Sequence, residues 1–340
     1  MSKVKSYLSL IKFSHTIFAM PFALIGFFLG LTKSINGDFN LPDWGSYNHK
    51  TGVVQWNLNK TIGWDHERDF QPPFSNDSLL NKLFSGDADL WTIGIYLLLI
   101  ILCMVFARSS AMAFNRYLDR KYDEKNPRTA VREIPSGIIT PKNALLFTIV
   151  CSLLFVVCSY FINRLCFFLS PVALAVVLGY SYTKRFTPLC HLILGLGLSL
   201  APIGAYLAVT GHFSLLPVLF SLAVLFWVSG FDIIYALQDE EFDKENQLYS
   251  IPAWLGKAKG LKVSELLHLL SAAAIIYAGF YGNFGWLYWA GTAIFIGMLI
   301  YQHTLVKPND LKRVNLAFMT ANGIASVVFA IFVIADLFIN

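Results

Sequence analysis

The sequence holds two matched acidic patterns, at Asn115–Asp123 and Tyr235–Asp243. Each places two aspartates four residues apart, and residues with this spacing lie on one face of a helix, about 5–6 Å apart. Carboxylates this close repel each other unless a cation lies between them. Mg2+ prefers a few carboxylates together with waters and phosphate oxygens. The patterns therefore predict two facing clusters that bridge Mg2+ to a diphosphate, through Asp119, Asp123, Asp239 and Asp243.

Further ionisable residues continue these two helical faces into apolar sequence. Arg108 lies deeper on the first face and Asp232 begins the second. Near a membrane boundary an ionised group is costly unless it faces a wet cavity or a partner, so both are functional candidates. Arginine binds phosphate through a two-pronged fork. The basic residues expected to complete a diphosphate site are Arg108, Arg128, Arg132 and Lys184.

A structural alternative treats each acidic pattern as a solvated helix end. Repulsion within each aspartate pair would then be relieved by nearby bases such as Arg120, Lys121 or Lys244. This explanation suits a single pair, but two matched pairs on one membrane face favour the functional interpretation.

The elements that position these residues are predicted to be membrane-spanning helices. Hydrophobic residues make up 56 % and charged residues 14 % of the 340-residue chain, against about 45–50 % and about 25 % in soluble domains. A helix needs roughly 20 mainly apolar residues to span a bilayer. We therefore expect an all-α polytopic membrane protein with nine spanning helices around a central cavity. The candidate segments are 17–32, 90–114, 144–162, 165–183, 189–210, 213–231, 265–283, 284–304 and 315–335.

The charge distribution predicts the orientation in the membrane. The loops on the side of the N-terminus carry 19 basic residues and those on the opposite side carry six. By the positive-inside rule the N-terminus and both acidic patterns are cytoplasmic and the C-terminus is outside, as expected for a bacterial inner membrane. The net charge of +5 then reflects topology, and it requires no nucleic-acid partner.

The chain is predicted to form one membrane domain over residues 1–340, with a long extracytoplasmic loop at 35–89. An Ile-Pro pair follows each acidic pattern, at Ile134-Pro135 and Ile251-Pro252. This repetition suggests two pseudo-repeated four-helix halves plus a ninth helix. The five cysteines have no CxxC spacing and are interpreted as small apolar residues. His15 and His191 are interpreted as helix-packing residues, and the sequence does not predict an oligomeric state.

At these residues the sequence resembles the UbiA-type family of intramembrane aromatic prenyltransferases. The first family motif, approximately N-x-x-x-D-x-x-x-D, matches Asn115–Asp123, and the second, D-x-x-Y-x-x-x-D-x-x-x-D, matches Asp232–Asp243. Further similarity lies at Arg128-Thr with Arg132, at Pro135-Ser-Gly137 and at Gly179-Tyr-Ser-Tyr-Thr-Lys184. The stretch Phe231–Asp239 most resembles the 4-hydroxybenzoate polyprenyltransferase branch.

The resemblance implies Mg2+-dependent transfer of a polyprenyl group from a polyprenyl diphosphate to the ring of an aromatic acid. Asn115 joins the four aspartates as a metal ligand, and Asp232 contributes to substrate binding. Tyr235 or Tyr180 stabilises the allylic cation through cation–π attraction, and Lys12 or His15 meets the carboxylate of the acceptor. The isoprenoid tail lies between helices or in the lipid bilayer.

Two other functions remain open from the sequence. Another UbiA-type branch would act on a menaquinone-route acceptor or make haem O or a lipid precursor. A cation-coupled transporter also places ionisable residues within a membrane, often at interrupted helices near the midplane. The clustering of carboxylates at one membrane face favours the enzyme.

Overall fold

The computed structural model describes residues 3–11, 18–35, 45–48, 53–56, 78–79, 82 and 89–340. Within these ranges the chain is almost entirely helical. The helices are α1 (Lys3–Leu10), α2 (Met20–Ile35), α3 (Leu90–Lys125), α4 (Pro141–Ile162), α5 (Arg164–Thr183), α6 (Cys190–Thr210), α7 (Leu215–Ala236), α8 (Glu240–Glu245), α9 (Ile251–Leu255), α10 (Lys257–Tyr281), α11 (Trp286–Leu305) and α12 (Asn322–Ile339). A 3₁₀ turn at Leu237–Asp239 joins α7 to α8, and a π-helical turn at Leu316–Ala321 precedes α12.

The all-α membrane fold predicted from the sequence is confirmed. In the part of the chain that the structure describes, seven helical segments are long and apolar enough to cross a membrane. The apolar part of α2 is shorter, at Met20–Thr32, and the count of nine spanning helices stays a prediction. With 36 residues, α3 is about 54 Å long, whereas the hydrocarbon core of a bilayer is about 30 Å thick. The helix is therefore longer than the apolar layer, and its charged C-terminal turns, which carry the first acidic pattern, follow its apolar part.

Two local features differ from the sequence expectations. The segment 35–89 contains a short antiparallel hairpin, β1 (Gly45–Asn48) and β2 (Val53–Trp56), which its composition does not predict. The second acidic pattern does not follow one uninterrupted helix, because α7 ends at Ala236 and the 3₁₀ turn intervenes. The N–H of Leu237 there donates to the carbonyls of both Ile234 and Tyr235, which tightens the turn.

The core is an aromatic cluster shared by α2, α7, α11 and α12. Phe22, Trp227, Phe295 and Phe329 are fully buried, and their ring centroids lie 5.3–6.3 Å apart in the contacting pairs. Edge-on and tilted ring contacts of this kind stabilise beyond the area they bury. The α7 helix is thus fixed on one side by this cluster and on the other by α6 and α10.

Helices α6 and α7 are in close contact at Gly195. A methyl group built there would lie 2.3 Å from Ser229 Oγ and 2.4 Å from the backbone oxygen of Leu225. Only a glycine allows this contact, which sets the separation of two helices that carry site residues.

We expect Gly195→Ala to destabilise the protein by about 1–3 kcal/mol, the usual cost of overpacking a core. The matched control is Gly197→Ala on the same helix, where the new methyl group would have its closest contact at 3.5 Å, to Val177 Cγ1. Thermal unfolding of the purified protein in detergent measures the difference. Equal unfolding temperatures for the two variants would contradict the close helix contact.

Candidate functional site

The two acidic patterns meet at the C-terminal end of α5. Lys184 Nζ lies 2.8 Å from Asp243 Oδ1, and Arg185 Nη2 lies 3.1 Å from Asp119 Oδ1. Since Lys184 and Arg185 are consecutive residues, one aspartate of each pattern lies within reach of the same short segment. Asp119 and Asp243, which are 124 residues apart in the sequence, thus belong to one polar cluster.

The loop after α3 forms a second bridge between the patterns. Arg128 donates two hydrogen bonds to Asp239, of 3.2 Å from Nε and 2.5 Å from Nη2. Its third nitrogen donates to the hydroxyl of Tyr235 at 3.0 Å. Asn126, which caps α3, also donates to Asp239 Oδ1 at 3.3 Å. The loop that follows the first acidic pattern therefore holds the second pattern in place.

The remaining aspartates are the most deeply buried. Asp123 accepts a 2.6 Å hydrogen bond from Arg132 Nη1 and lies 3.9 Å from Arg116 Nη1. Asp243 has no exposed surface and accepts a 2.9 Å hydrogen bond from Ser250 Oγ. Buried carboxylates require such partners, because an unpaired charge there is costly.

Each of the four aspartates thus has a basic partner, but not the partners that the sequence alternative proposed. Arg120 donates to the carbonyl of Tyr117, and Lys244 pairs with Glu240 at 2.6 Å. Residues adjacent to the aspartates in sequence point elsewhere on the helix, whereas the observed partners come from other elements. They are Arg185, Arg132, Arg128 and Lys184.

Two of these ion pairs keep a buried base charged. Burial alone would lower the pKa of Arg128 and Lys184, which lie outside the spanning segments. Asp239 outweighs this effect for Arg128 and raises its pKa above the usual value, and Asp243 does the same for Lys184. Both side chains are cationic at neutral pH.

A cavity of about 530 Å³ opens beside the polar cluster. Most of its wall is apolar and comes from α3, α5 and α6, with side chains such as Met104, Val176 and Leu198. Polar residues converge at one part of the wall: Arg108, Asn115, Arg116, Arg132, Tyr180, Asp232 and Tyr235. The cavity thus offers a charged head region and an apolar body, which suits an amphipathic ligand with an anionic end.

Arg108 and Asp232, the two ionisable residues predicted within apolar sequence, both line this cavity. Arg108 Nε is buried and has no hydrogen-bond partner among the described residues. Asp232 is paired with His191, whose Nδ1 lies 2.7 Å from Asp232 Oδ2. Arg108 therefore presents an unmatched donor at the cavity wall, as expected of a residue that awaits an anionic ligand.

The donor set fits a divalent cation that a phosphate group helps to hold. In the described ranges, no three His, Cys, Asp or Glu side chains converge closely enough to form a metal site alone. Asn115 Nδ2 donates to Asp119 Oδ2 at 3.0 Å, and the Asp119 side chain is 27 % exposed. Mg2+ usually takes only one or two carboxylates and completes its shell with waters and substrate phosphates. Oxygen donors beside a cavity meet that requirement.

Several residues of the cluster were not predicted from the sequence. In the sequence, Arg185 and Arg116 count only among the 19 basic residues on the side of the N-terminus, His191 is interpreted as a packing residue, and no pattern marks Asn126. Only Arg116 carried a sequence signal, because it precedes Asp123 by seven residues on the same helical face. Lys12 and His15, proposed to meet the carboxylate of an acceptor, lie outside the described residues.

Sequence comparisons with known proteins all indicate the same family. The profile of the UbiA prenyltransferase family matches residues 85–324. A 4-hydroxybenzoate octaprenyltransferase from Nitrosospira multiformis is 31 % identical over 235 residues, which cover 69 % of this chain and 80 % of that protein. A 4-hydroxybenzoate octaprenyltransferase from Tolumonas auensis is 32 % identical over 242 residues, which cover 69 % and 82 %.

Solved structures show the same fold. The apo structure of a UbiA homologue from Aeropyrum pernix K1 matches with a TM-score of 0.68 and 25 % identity, covering 96 % of this chain and 97 % of that one. A UbiA homologue from Archaeoglobus fulgidus, solved with GPP and Mg2+ bound, matches with a TM-score of 0.64 and 18 % identity, covering 98 % and 100 %.

Proposed function

Since the chain belongs to the UbiA prenyltransferase family, we propose that it transfers a polyprenyl group from a polyprenyl diphosphate to the ring of an aromatic acid. The proposed acceptor is 4-hydroxybenzoate or a similar acid, and the proposed context is ubiquinone or menaquinone biosynthesis. The curated relatives are named for 4-hydroxybenzoate as acceptor, which supports this choice. The observation that carries the proposal is the convergence of both acidic patterns on Lys184 and Arg185, beside an apolar cavity.

The cavity explains how one site accommodates both ends of such a donor. Its charged region carries Arg108, Arg116 and Arg132, which attract a diphosphate. The apolar wall accepts the isoprenoid tail, and a long tail continues into the bilayer because the protein is an integral membrane protein. We place the charged region at the cytoplasmic face of a bacterial inner membrane, where water-soluble aromatic acids have access.

In the proposed reaction the C–O bond of the donor breaks and its electron pair leaves with the diphosphate. Arg108, Arg128, Arg132 and Lys184 stabilise the negative charge that develops there. The allylic cation lies near the faces of Tyr180 and Tyr235. The ring carbon beside the acceptor hydroxyl then bonds to the cation, and the ring proton passes to the diphosphate that has left, which restores aromaticity.

Asn115, Asp119, Asp123, Asp239 and Asp243 are the residues proposed to hold Mg2+. When bound, the ion supplies Lewis-acid stabilisation of the leaving diphosphate. Their present basic partners are then free to turn to the phosphate oxygens. The Mg2+ in a structure of an Archaeoglobus fulgidus homologue supports the use of this ion.

We expect lipid-soluble product only in the presence of a divalent metal. Purified protein is incubated with radiolabelled polyprenyl diphosphate and 4-hydroxybenzoate, with Mg2+ or with EDTA, and the organic extract is counted. EDTA should abolish product, and excess Mg2+ should restore it. Product formation that is unaffected by EDTA would contradict the metal assignment. Labelled substrate that crosses proteoliposomes unchanged would instead indicate a transporter.

A further inference from the structure

His191 lies directly behind the cavity residue Asp232. It is 3 % exposed, and it is absent from the residues that line the cavity, whereas Asp232 lines it and keeps a 24 % exposed side chain. The bond between His191 Nδ1 and Asp232 Oδ2 is 2.7 Å long. The imidazole therefore touches the carboxylate from the protein side, while Asp232 Oδ1 has no hydrogen-bond partner among the described residues.

The second nitrogen of the imidazole identifies which atom carries the proton. The backbone N–H of Ile251 donates to His191 Nε2 at 3.3 Å. A nitrogen that accepts a hydrogen bond carries no proton, so the proton of the ring is on Nδ1 and is donated to Asp232. Asp232 thus receives a fixed hydrogen bond at Oδ2, which leaves Oδ1 for another donor.

The backbone around His191 is held as firmly as its side chain. Its carbonyl accepts a 3.1 Å hydrogen bond from Ser229 Oγ, and Gly195, one turn further along α6, makes the close contact with α7. Ile251 follows Ser250, which caps α9 and donates to Asp243. The Ile-Pro segment that repeats in the sequence therefore ties His191 to the second acidic pattern.

We propose that His191 is a positioning residue for the aromatic acceptor. It holds Asp232 as a carboxylate with Oδ1 towards the cavity, where that oxygen accepts a hydrogen bond from the hydroxyl of a phenolic acid. This inference rests on the proposed function, because it concerns the acceptor of the same reaction. A buried residue that orients the group in contact with a ligand typically contributes 10- to 100-fold to activity, as for the outer partners of metal ligands.

A double-mutant cycle separates this role from simple packing. The variants are His191→Leu, Asp232→Asn and both together, assayed with polyprenyl diphosphate, 4-hydroxybenzoate and Mg2+. We expect each single change to lower kcat about 10- to 100-fold, with little change in the KM for the donor. Because the two residues act as a unit, the double variant should fall within about twofold of Asp232→Asn alone.

Two further variants test whether the hydrogen-bond donor of His191, and not its packing, is what matters. His191→Asn keeps a donor near the position of Nδ1 and should recover most of the kcat that His191→Leu loses. His212→Gln, which replaces a histidine just beyond the far end of α6, should keep the kcat of the unmodified protein. Thermal unfolding in detergent reports separately on any loss of fold.

If the two losses of kcat multiply in the double variant, His191 only packs. The same conclusion follows if His191→Asn is as inactive as His191→Leu. Wild-type kcat in Asp232→Asn would overturn the inference as well. Both results leave the proposed function intact. An unmodified protein that forms no prenylated acid would instead overturn the proposed function itself.

Discussion

Replacing Asp239 with alanine is expected to lower turnover at least about 100-fold, the scale of removing a group that stabilises charge in the transition state. Asp239 connects the second pattern to the loop that follows the first, because both Arg128 and Asn126 donate to it. Its loss removes a proposed metal ligand and also releases Arg128 from its place beside Tyr235. Initial rates at saturating donor and Mg2+ measure the effect, and Asp119→Ala is expected to behave similarly.

The matched control for this variant is Glu241→Ala, two residues further along the chain. The Glu241 side chain is 87 % exposed and its carboxylate lies 3.6 Å from Lys257. Exposed pairs of this kind contribute little to stability, so activity and folding should both stay near those of the unmodified protein. Unchanged turnover in Asp239→Ala and Asp119→Ala would remove both residues from the site.

Lys184→Met is expected to impair both folding and activity. The substitution leaves Asp243, which has no exposed surface, without its basic partner. An unpaired buried polar group costs about 1–3 kcal/mol, and a charged group costs more. The same change removes a cation proposed to stabilise the leaving diphosphate, so we also expect turnover to fall at least about 100-fold.

The double variant Lys184→Met, Asp243→Asn distinguishes these two effects. Removing both charges should restore much of the unfolding temperature, because a neutral amide in place of Asp243 no longer leaves a buried charge unpaired. Turnover should stay low, since a proposed metal ligand and a proposed diphosphate partner are both missing. A double variant that recovers activity together with stability would show that the pair is only structural.

The helical fold can be predicted from the sequence, because the apolar composition of each spanning segment is enough to indicate a membrane helix. The long apolar run that begins at Leu90 and the run after Pro141 need no tertiary information. The break at Leu237–Asp239 is not predicted from the sequence, because the segment has no proline or glycine to mark it. The hairpin at β1 and β2 likewise lies in sequence without a sustained two-residue alternation.

For the site, the sequence identified the aspartates but not their partners. Regular spacing marks Asp119 and Asp123, and again Asp239 and Asp243, as members of common helical faces. No such rule connects Arg185 to Asp119 or His191 to Asp232, because the members of each pair lie on different structural elements. Loop and helix-end bases such as Arg185 also have a second explanation in the positive-inside rule, which concealed their role in the cluster.

The pairing of every aspartate with a base leaves these four ion pairs electroneutral as a set. A diphosphate that entered alone would add several negative charges beside these four carboxylates. The donor and the divalent cation are thus thermodynamically linked, and each must tighten the binding of the other by the same factor. In a calorimetric titration, the donor should therefore bind far more weakly without Mg2+, and the apparent affinity for Mg2+ should rise with donor concentration.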